Sequence, residues 1–501
     1  MASSFEILGA VVALLVAIYY YCNSNYDYWK NRGVKGPKPI PFLGNFKDIM
    51  LSRISIGSYM QQIYNEFKDE PMVGLFARAT PILSIHDPNF IKDILIKDFS
   101  KFSDRPIKVH EKTEPISQHL FALETKRWRP MRLRLSPIFT SGKLKEMFPL
   151  ILESSEHLEN YLAKVVPKNE SIEFRELTAR YTTDVIGTCA FGLELNALED
   201  ENCEFRRMGR DFFTMTFSKY LRLRIREAFP NFYDFLGYIL PEVKNQKYFR
   251  LSIAQTMAYR RKHNIVRHDF IDILLDIQDN SEKFKDFEIT ETLLAAQAFV
   301  FFLAGFETSS STMSNALYEL AQNHEIQDKM RAEINEMKEK NKGQWKYDDI
   351  KQMSYLDMIF RETLRKYPPV TVLMRRAVSD YTFNGTKVTI PKGTRVFIPA
   401  FAIHRDPKIY PDPDKYDPER FSEESSAGRN PMYYLPFGDG PRNCIGARFA
   451  VYQTKIGLIK ILSNYKVEVC EETQIPYKID ETAFILTPLG GIHLKLVDIK
   501  S

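Results

Sequence analysis

Apolar residues recur at three- and four-residue spacing over most of the chain, and at two-residue spacing only in short runs. The helical rhythm runs over 142–166, 172–187, 286–323, 324–340, 348–367 and 446–465. Strand-like stretches are confined to 72–85, 388–390, 395–399 and 485–496. The pattern predicts a mainly α protein with a minor β-sheet region. A length of 501 residues would by default suggest about three domains. After residue 50, however, no internal repeat, low-complexity tract or Pro/Gly/Ser-rich spacer divides the chain. One large domain over residues 46–501 is therefore expected.

The N-terminus follows a different pattern. Residues 7–26 carry no charge and lie between Glu6 and Asp27. About 20 helical residues cross the ~30 Å hydrocarbon core of a bilayer, so residues 1–28 are expected to be a membrane anchor. Tyr19, Tyr20, Tyr21, Tyr26, Tyr28 and Trp29 read as an interfacial belt. Lys30, Arg32, Lys35 and Lys38 follow, whereas no Lys or Arg precedes the apolar run. The positive-inside rule then leaves the rest of the chain in the cytosol. A cleaved signal peptide would need a basic start and small residues before the cut, and both are missing. The terminal position and the belt argue against a buried core helix. Residues 29–45, basic and with three prolines in GPKPIPFLGN, read as a stiff linker.

Composition narrows the function classes. A 44% hydrophobic chain with 36 Phe and 26 Tyr has ample apolar content to offset the entropy of ordering, which excludes general disorder. Sixty-nine basic against 64 acidic residues give +5, too little for a nucleic-acid footprint. No nucleic-acid partner is expected, and any basic surface that matters is local. The five cysteines (Cys22, Cys189, Cys203, Cys444, Cys470) form no CxxC and no zinc-finger spacing, which excludes a disulfide scaffold. No GxGxxG follows a strand and no GxxxxGK[ST] occurs, so the chain shows no flavin, nicotinamide or nucleotide site of its own.

Cys444 stands apart from the other four. Gly438, Gly440 and Gly446 around it allow a tight loop that brings backbone N–H groups near the sulfur. The run after it, GARFAVYQTKIGLIKIL, reads as helix. A helix N-terminus and the nearby Arg442 both favour a thiolate. Such a sulfur is a nucleophile or a soft metal ligand. His404 and His110 form no Cys/His dyad signature with it, which favours ligation.

The ten residues FGDGPRNCIG, Phe437 to Gly446, match the haem-binding loop FxxGxRxCxG of the cytochrome P450 family at every fixed position. The chain is identified by this resemblance as a member of that family. The resemblance implies the cytochrome P450 fold, a haem-thiolate triangular prism, with Cys444 as the axial ligand of haem iron. It also implies haem b (iron protoporphyrin IX) as cofactor, with O2 as co-substrate. Cofactor contacts are expected from Trp128, Arg132, Ala304, Arg376, Phe437, Arg442 and Cys444. Trp128 and Arg132 match the family's WxxxR and share one helical face. For the third propionate ligand the resemblance points to Arg376, with Arg375 as its rival.

Glu362 and Arg365 resemble the ExxR motif, with Arg420 of PERF as the third member of a buried structural triad. FVFFLAGFETSSS resembles the [AG]Gx[DE]T signature, which makes Glu307 and Thr308 the catalytic acid–alcohol pair. A mid-helix Thr bonds back to the carbonyl four residues earlier, here Ala304, and Gly305 weakens the turn between them. The resemblance is closest to microsomal, insect family-6 (clan 3) enzymes, through FSDRPIKVHEKTEPISQHLFALETKRW, TTDVIGTCAFGLELNAL and FILTPLGG.

It implies an NADPH- and O2-dependent monooxygenase of the endoplasmic reticulum membrane, facing the cytosol. Electrons would come from NADPH-cytochrome P450 reductase, with cytochrome b5 as a second donor. Lys126, Arg127, Arg129, Lys143 and Lys145 form a basic patch for an acidic partner. Substrate contacts are expected from Phe121, Phe212, Phe302, Val370, Met374 and Phe484, which suit lipophilic small molecules: xenobiotics such as plant allelochemicals or insecticides, or endogenous lipids and hormones. The segment Phe229–Leu240 is too short to span a bilayer and reads as an interfacial dip or a core helix. Two other classes remain open: a haem-thiolate isomerase or dehydratase working without reductase, and a non-catalytic haem carrier or sensor. Neither needs the Glu307–Thr308 pair.

Overall fold

Helices form where the apolar period is 3.6 and a capping side chain starts them. Thr290 accepts a hydrogen bond from the Leu293 N–H and opens the longest one. The computed structural model describes residues 4–168, 170–239, 242–284 and 287–499. Asp286, where the helical rhythm begins, and Leu240, the end of the proposed interfacial segment, lie outside the described residues. In chain order the principal helices are α1 (Ser4–Asn23), α2 (Thr125–Leu135), α3 (Ser141–Val165), α4 (Phe174–Ile186), α5 (Phe217–Ala228), α6 (Pro230–Leu236), α7 (Lys244–His263), α8 (Glu291–Gln322), α9 (His324–Lys340), α10 (Ser354–Lys366) and α11 (Ala447–Leu462). The strands are β1 (Met72–Ala77), β2 (Thr80–Ile85), β3 (Ile172–Glu173), β4 (Leu373–Arg376), β5 (Tyr381–Thr382), β6 (Thr389–Ile390), β7 (Arg395–Ile398), β8 (Tyr465–Val469) and β9 (His493–Asp498). The chain is mainly helical with small sheets.

Two compact units interleave along the sequence. The first comprises Met1–Pro106, Val370–Pro413 and Gly428–Asn443. Its four-stranded sheet has the order β1-β2-β7-β4, and β5 pairs with β6 in a second ribbon. β1 and β2 are antiparallel, β2 and β7 parallel, and β7 and β4 antiparallel, with Arg375 opposite Val396. Residues 29–45 are mostly exposed but are tied to the sheet at a few points. Trp29 is buried and donates its indole N–H to the Leu75 carbonyl at 3.0 Å. Gly74 N–H donates to Lys35 O, and Phe76 N–H donates to Asn45 Oδ1. Trp29 is therefore a core residue and not part of an aromatic belt. Among the described side chains of α1, Ile7, Leu8, Val11, Val12, Leu14, Val16, Tyr19 and Tyr20 are exposed.

The second unit comprises Ile107–Pro369, Asp414–Ala427 and Cys444–Ser501. It is built around α8, whose residues 293–299 and 309–321 are all buried. Among the described residues, α8 is the one helix long and apolar enough to cross a membrane, and its burial marks it as a core helix. α4 lies so close that a Cβ on Gly305 would meet Ile186 Cδ1 at 2.4 Å. Thr178 and Thr182 on α4 donate to the α8 carbonyls of Ser310 and Phe306 at 3.1 and 3.0 Å. A three-stranded sheet, β3-β9-β8, completes this unit. On α6, Phe229, Phe232, Phe235, Tyr238 and Ile239 in and beside the helix are exposed while Tyr233 is buried. The inner face is tied to the loop before α2: Asp234 accepts from His110 Nδ1 at 2.6 Å and Lys108 Nζ at 2.7 Å. The α6 segment is thus amphipathic and not a core helix.

Candidate functional site

The ten-residue cysteine motif is divided between the units, Phe437–Asn443 in the first and Cys444–Gly446 in the second. In the first unit the loop is shaped by glycines that no other residue could replace without strain. Gly438 and Gly440 have φ of +66° and +72°, and a Cβ on Gly440 would stand 1.8 Å from the Leu95 carbonyl oxygen. Upstream, the buried His404 accepts the Leu435 N–H at Nε2 (2.9 Å), so its proton is on Nδ1. His404 is an anchor of the loop. Asn443 N–H closes back on Gly440 O at 3.0 Å. Arg442 is fully buried, and its carbonyl accepts from Arg105 Nη2 at 3.1 Å. Phe437 is half-buried. Arg105 carries no motif of its own, and sequence reasoning missed it.

Arg375 and Arg376 separate clearly. Side chains alternate across a strand, and on β4 Arg375 is 2% exposed whereas the Arg376 side chain is half-exposed and ion-paired to Asp104 at 2.7 Å. Arg375 Nη1 donates to the Met374 carbonyl at 2.9 Å, and its Nε has no partner among the described residues. Burial alone pushes its guanidinium down to about 10. A buried cation without a carboxylate is the expected mark of a site for an acidic group. The structure therefore shifts the expectation from Arg376, which already holds an acid, to Arg375.

In the second unit, Cys444 is exposed and stands just ahead of α11, with Gly446 as N-cap. Cys189 and Cys203 are buried, and burial raises both thiols. Cys470 is half-buried. Trp128 and Arg132 are both on α2, with Trp128 buried and Arg132 half-buried. Burial lowers the Arg132 guanidinium, and a Cys444 anion pulls it back up, so the two groups feel each other's charge.

In the middle of α8 the accessible positions are Val300, Phe301, Ala304, Gly305 and Thr308, which form one strip along the helix. Thr308 Oγ1 donates to the Ala304 carbonyl at 2.7 Å. Gly305 serves the close approach of α4, not a loosened turn. Glu307 faces away from the strip, is buried, and pairs with Arg175 on α4, a residue that no motif flagged. Phe302 also lies off the strip. It is buried, with its ring 5.6, 5.7 and 5.0 Å from those of Phe205, Phe249 and Phe306. Phe121 is half-buried, Phe212 is exposed with its ring 5.3 Å from Phe299, and Phe484 is largely exposed. Val370 and Met374 are half-buried in the first unit.

The structure brings Glu362, Arg365 and Arg420 together. Glu362 and Arg365 are fully buried, and two guanidinium nitrogens donate to the carboxylate at 2.7 and 2.8 Å. Asp417 N–H adds a bond at 2.9 Å, and Arg420 Nε lies 3.5 Å away. The expected basic patch is narrower than its sequence. Arg127 is engaged by Glu111 at 2.5 Å and Gln118 at 2.8 Å. Lys143 and Lys145 pair with Glu146 and Asp348. Lys126 and Arg129 are exposed with no acidic partner among the described residues.

Residues 34–495 match the family described as Cytochrome P450. The chain is 43% identical to "Cytochrome P450 6a2" of Drosophila melanogaster, over 98% of this chain and 99% of that protein. It is 40% identical both to "Cytochrome P450 6k1" of Blattella germanica and to "Cytochrome P450 6A1" of Musca domestica, each over 98% of this chain and 97% of the relative. With an exposed cysteine ahead of a helix, cations around its loop and a match over nearly the whole length, the chain belongs to the cytochrome P450 family of haem-thiolate monooxygenases.

Proposed function

We propose that this chain is a microsomal monooxygenase for lipophilic small molecules, drawing electrons from NADPH through a separate reductase. The observation that carries the reading is Cys444, exposed ahead of α11 and within the electrostatic reach of Arg132. Haem bound through that thiolate supplies the redox chemistry that splits O2 and places one oxygen atom on the substrate. The residues present suit such a group. Arg375, buried and without a carboxylate among the described residues, fits one of its acidic side groups, and Trp128, Arg132 and Arg442 offer further donors. Gly440 keeps the loop close to the 95–96 backbone, and Phe437 would offer the group an apolar ring. Glu362, Arg365 and Arg420 hold the scaffold and touch no reacting atom.

Thr308 stands on the accessible strip of α8, where its hydroxyl can exchange the Ala304 carbonyl for a water and present a proton there. Glu307, once it leaves Arg175 and takes up a proton from solvent water, would return that proton. Phe121, Phe212, Val370, Met374 and the strip residues Phe301 and Ala304 offer apolar contacts to xenobiotics or endogenous lipids and hormones. Residues 1–28 anchor the chain in the endoplasmic reticulum membrane, which the exposed apolar side chains of α1 support, and residues 46–501 form the cytosolic catalytic part. The exposed aromatic face beside α6 would rest in the same membrane. NADPH-cytochrome P450 reductase, and cytochrome b5 as a second donor, would meet Lys126 and Arg129.

The test is turnover with reconstituted reductase, NADPH and isotopically labelled O2 across a panel of lipophilic substrates. One labelled atom per product is expected. Product formed without NADPH or labelled oxygen would point to an isomerase or dehydratase, and haem binding without any product to a carrier or sensor.

A further inference from the structure

We propose that Arg376 is a positioning residue for the cysteine loop, acting through Asp104 and Arg105 without touching the cofactor; this rests on the haem-thiolate reading above. Residues 101–105 run along β4: Val378 N–H donates to Lys101 O at 2.8 Å and Arg376 N–H to Asp104 O at 2.7 Å. The Arg376 guanidinium binds the Asp104 carboxylate, also at 2.7 Å. Asp104 is thus held through its backbone and its side chain by the same residue. The next residue, Arg105, spends an Nη2 donor on the Arg442 carbonyl at 3.1 Å. That carbonyl belongs to the peptide that precedes Asn443 and Cys444. Arg376 therefore fixes Asp104, Asp104 fixes the origin of Arg105, and Arg105 fixes the backbone of the loop's buried arginine. Arg375, on the other face of the same strand, has none of these links. The two adjacent arginines have different tasks.

The measurement is the rate of haem transfer from holoenzyme to excess apomyoglobin, for wild type, Arg376→Gln, Asp104→Asn, the double variant and Arg376→Lys. The half-exposed pair sets the scale: each single variant should release haem about two- to five-fold faster. The double variant should be no faster than either single one, and Arg376→Lys should restore most of the wild-type rate. If Arg376→Gln keeps its full effect in the Asp104→Asn background, Arg376 meets the cofactor directly and the proposal fails. Unchanged rates in every variant overturn it as well. Asp104→Asn keeps the side-chain shape, so the coupling can be read even where Arg376→Gln folds poorly. Wild-type protein that lacks the thiolate-type spectrum of its reduced carbon monoxide complex would instead sink the underlying haem-thiolate reading, and the proposal with it.

Discussion

Arg375→Met should have effects of opposite sign with and without haem. The wild-type guanidinium is 2% exposed, with one bond to Met374 O and no carboxylate among the described residues. Its descent from the usual arginine value to about 10 corresponds to ~3 kcal/mol against the charged, folded form. A cation whose folded-state value is lowered penalises the fold at every pH below that value, and relief comes only as the pH rises through about 10. At neutral pH the penalty is therefore fully present. Methionine keeps the length, removes the charge and fills the space with an adaptable apolar chain. Urea melts of haem-free protein should show the variant more stable by ~1–3 kcal/mol. The holoenzyme should respond the other way, because a charge-assisted bond to a carboxylate contributes about 1.5–3 kcal/mol, and haem transfer to apomyoglobin should be roughly 10- to 100-fold faster. A haem-free variant less stable than wild type, or an unchanged transfer rate, refutes the assignment of Arg375 to an acidic group of the cofactor.

Glu362→Gln removes the anion shared by Arg365, Arg420 and the Asp417 N–H, and should lower stability by about 3–5 kcal/mol in denaturant melts; a wild-type midpoint would contradict the triad. Thr308→Ala should leave NADPH and O2 consumption in place while the yield of product per NADPH falls several-fold, which product quantification against NADPH decay reads directly. Lys126→Glu with Arg129→Glu should slow reduction by the reductase at normal haem content, in stopped-flow. Arg127→Glu should instead lower the melting temperature, because it loses Glu111 and Gln118. Asp184, buried and accepting from the Ala197 and Leu198 N–H groups, is pushed up to about 6 by that burial. The folded chain holds this proton more tightly than the unfolded one, so stability should rise as pH falls from about 7 to 5. Asp184→Asn should flatten that part of the profile, and a slope unaffected by the substitution would show that other groups set it.

The legible part of the site is the part written in local spacing. Glu362 and Arg365 are three residues apart on one helix face, and Trp128 and Arg132 four apart on another, so their neighbourhoods follow from helical geometry. The cysteine loop is equally local, because its glycines at +66° and +72° are demanded within a few residues of Cys444. What stayed hidden depends on partners distant in sequence. Arg375 and Arg376 are chemically identical, and only the arrival of Asp104 on one side of β4 separates them. Trp29 has the composition of a membrane belt, yet the Leu75 carbonyl gives its indole a buried partner. Phe302 lies in a helix that is apolar on nearly every side, so its phase relative to the Thr308 strip cannot be read from hydrophobicity. Arg127 shows its charge in the sequence but not Glu111, which neutralises it.

Reactivity and burial are inverted around this site, and the inversion links stability to cofactor content. Ordinary thiols here are buried and raised, as at Cys189 and Cys203, whereas Cys444 is exposed at the start of a helix where an anion is favoured. Arg127 is paired with an acid, whereas Arg375 is buried without one among the described residues. The buried Arg375 is unfavourable for the polypeptide by itself, and both departures become favourable once a ligand carrying a soft metal and acidic groups is bound. Such a ligand binds the folded chain far better than the unfolded one, so its free energy of binding adds to the free energy of folding. Substitutions at Cys444 or Arg375 should then be read in pairs of measurements, with and without haem. Substitutions in the Glu362 triad, which is satisfied within the chain itself, should shift both states alike.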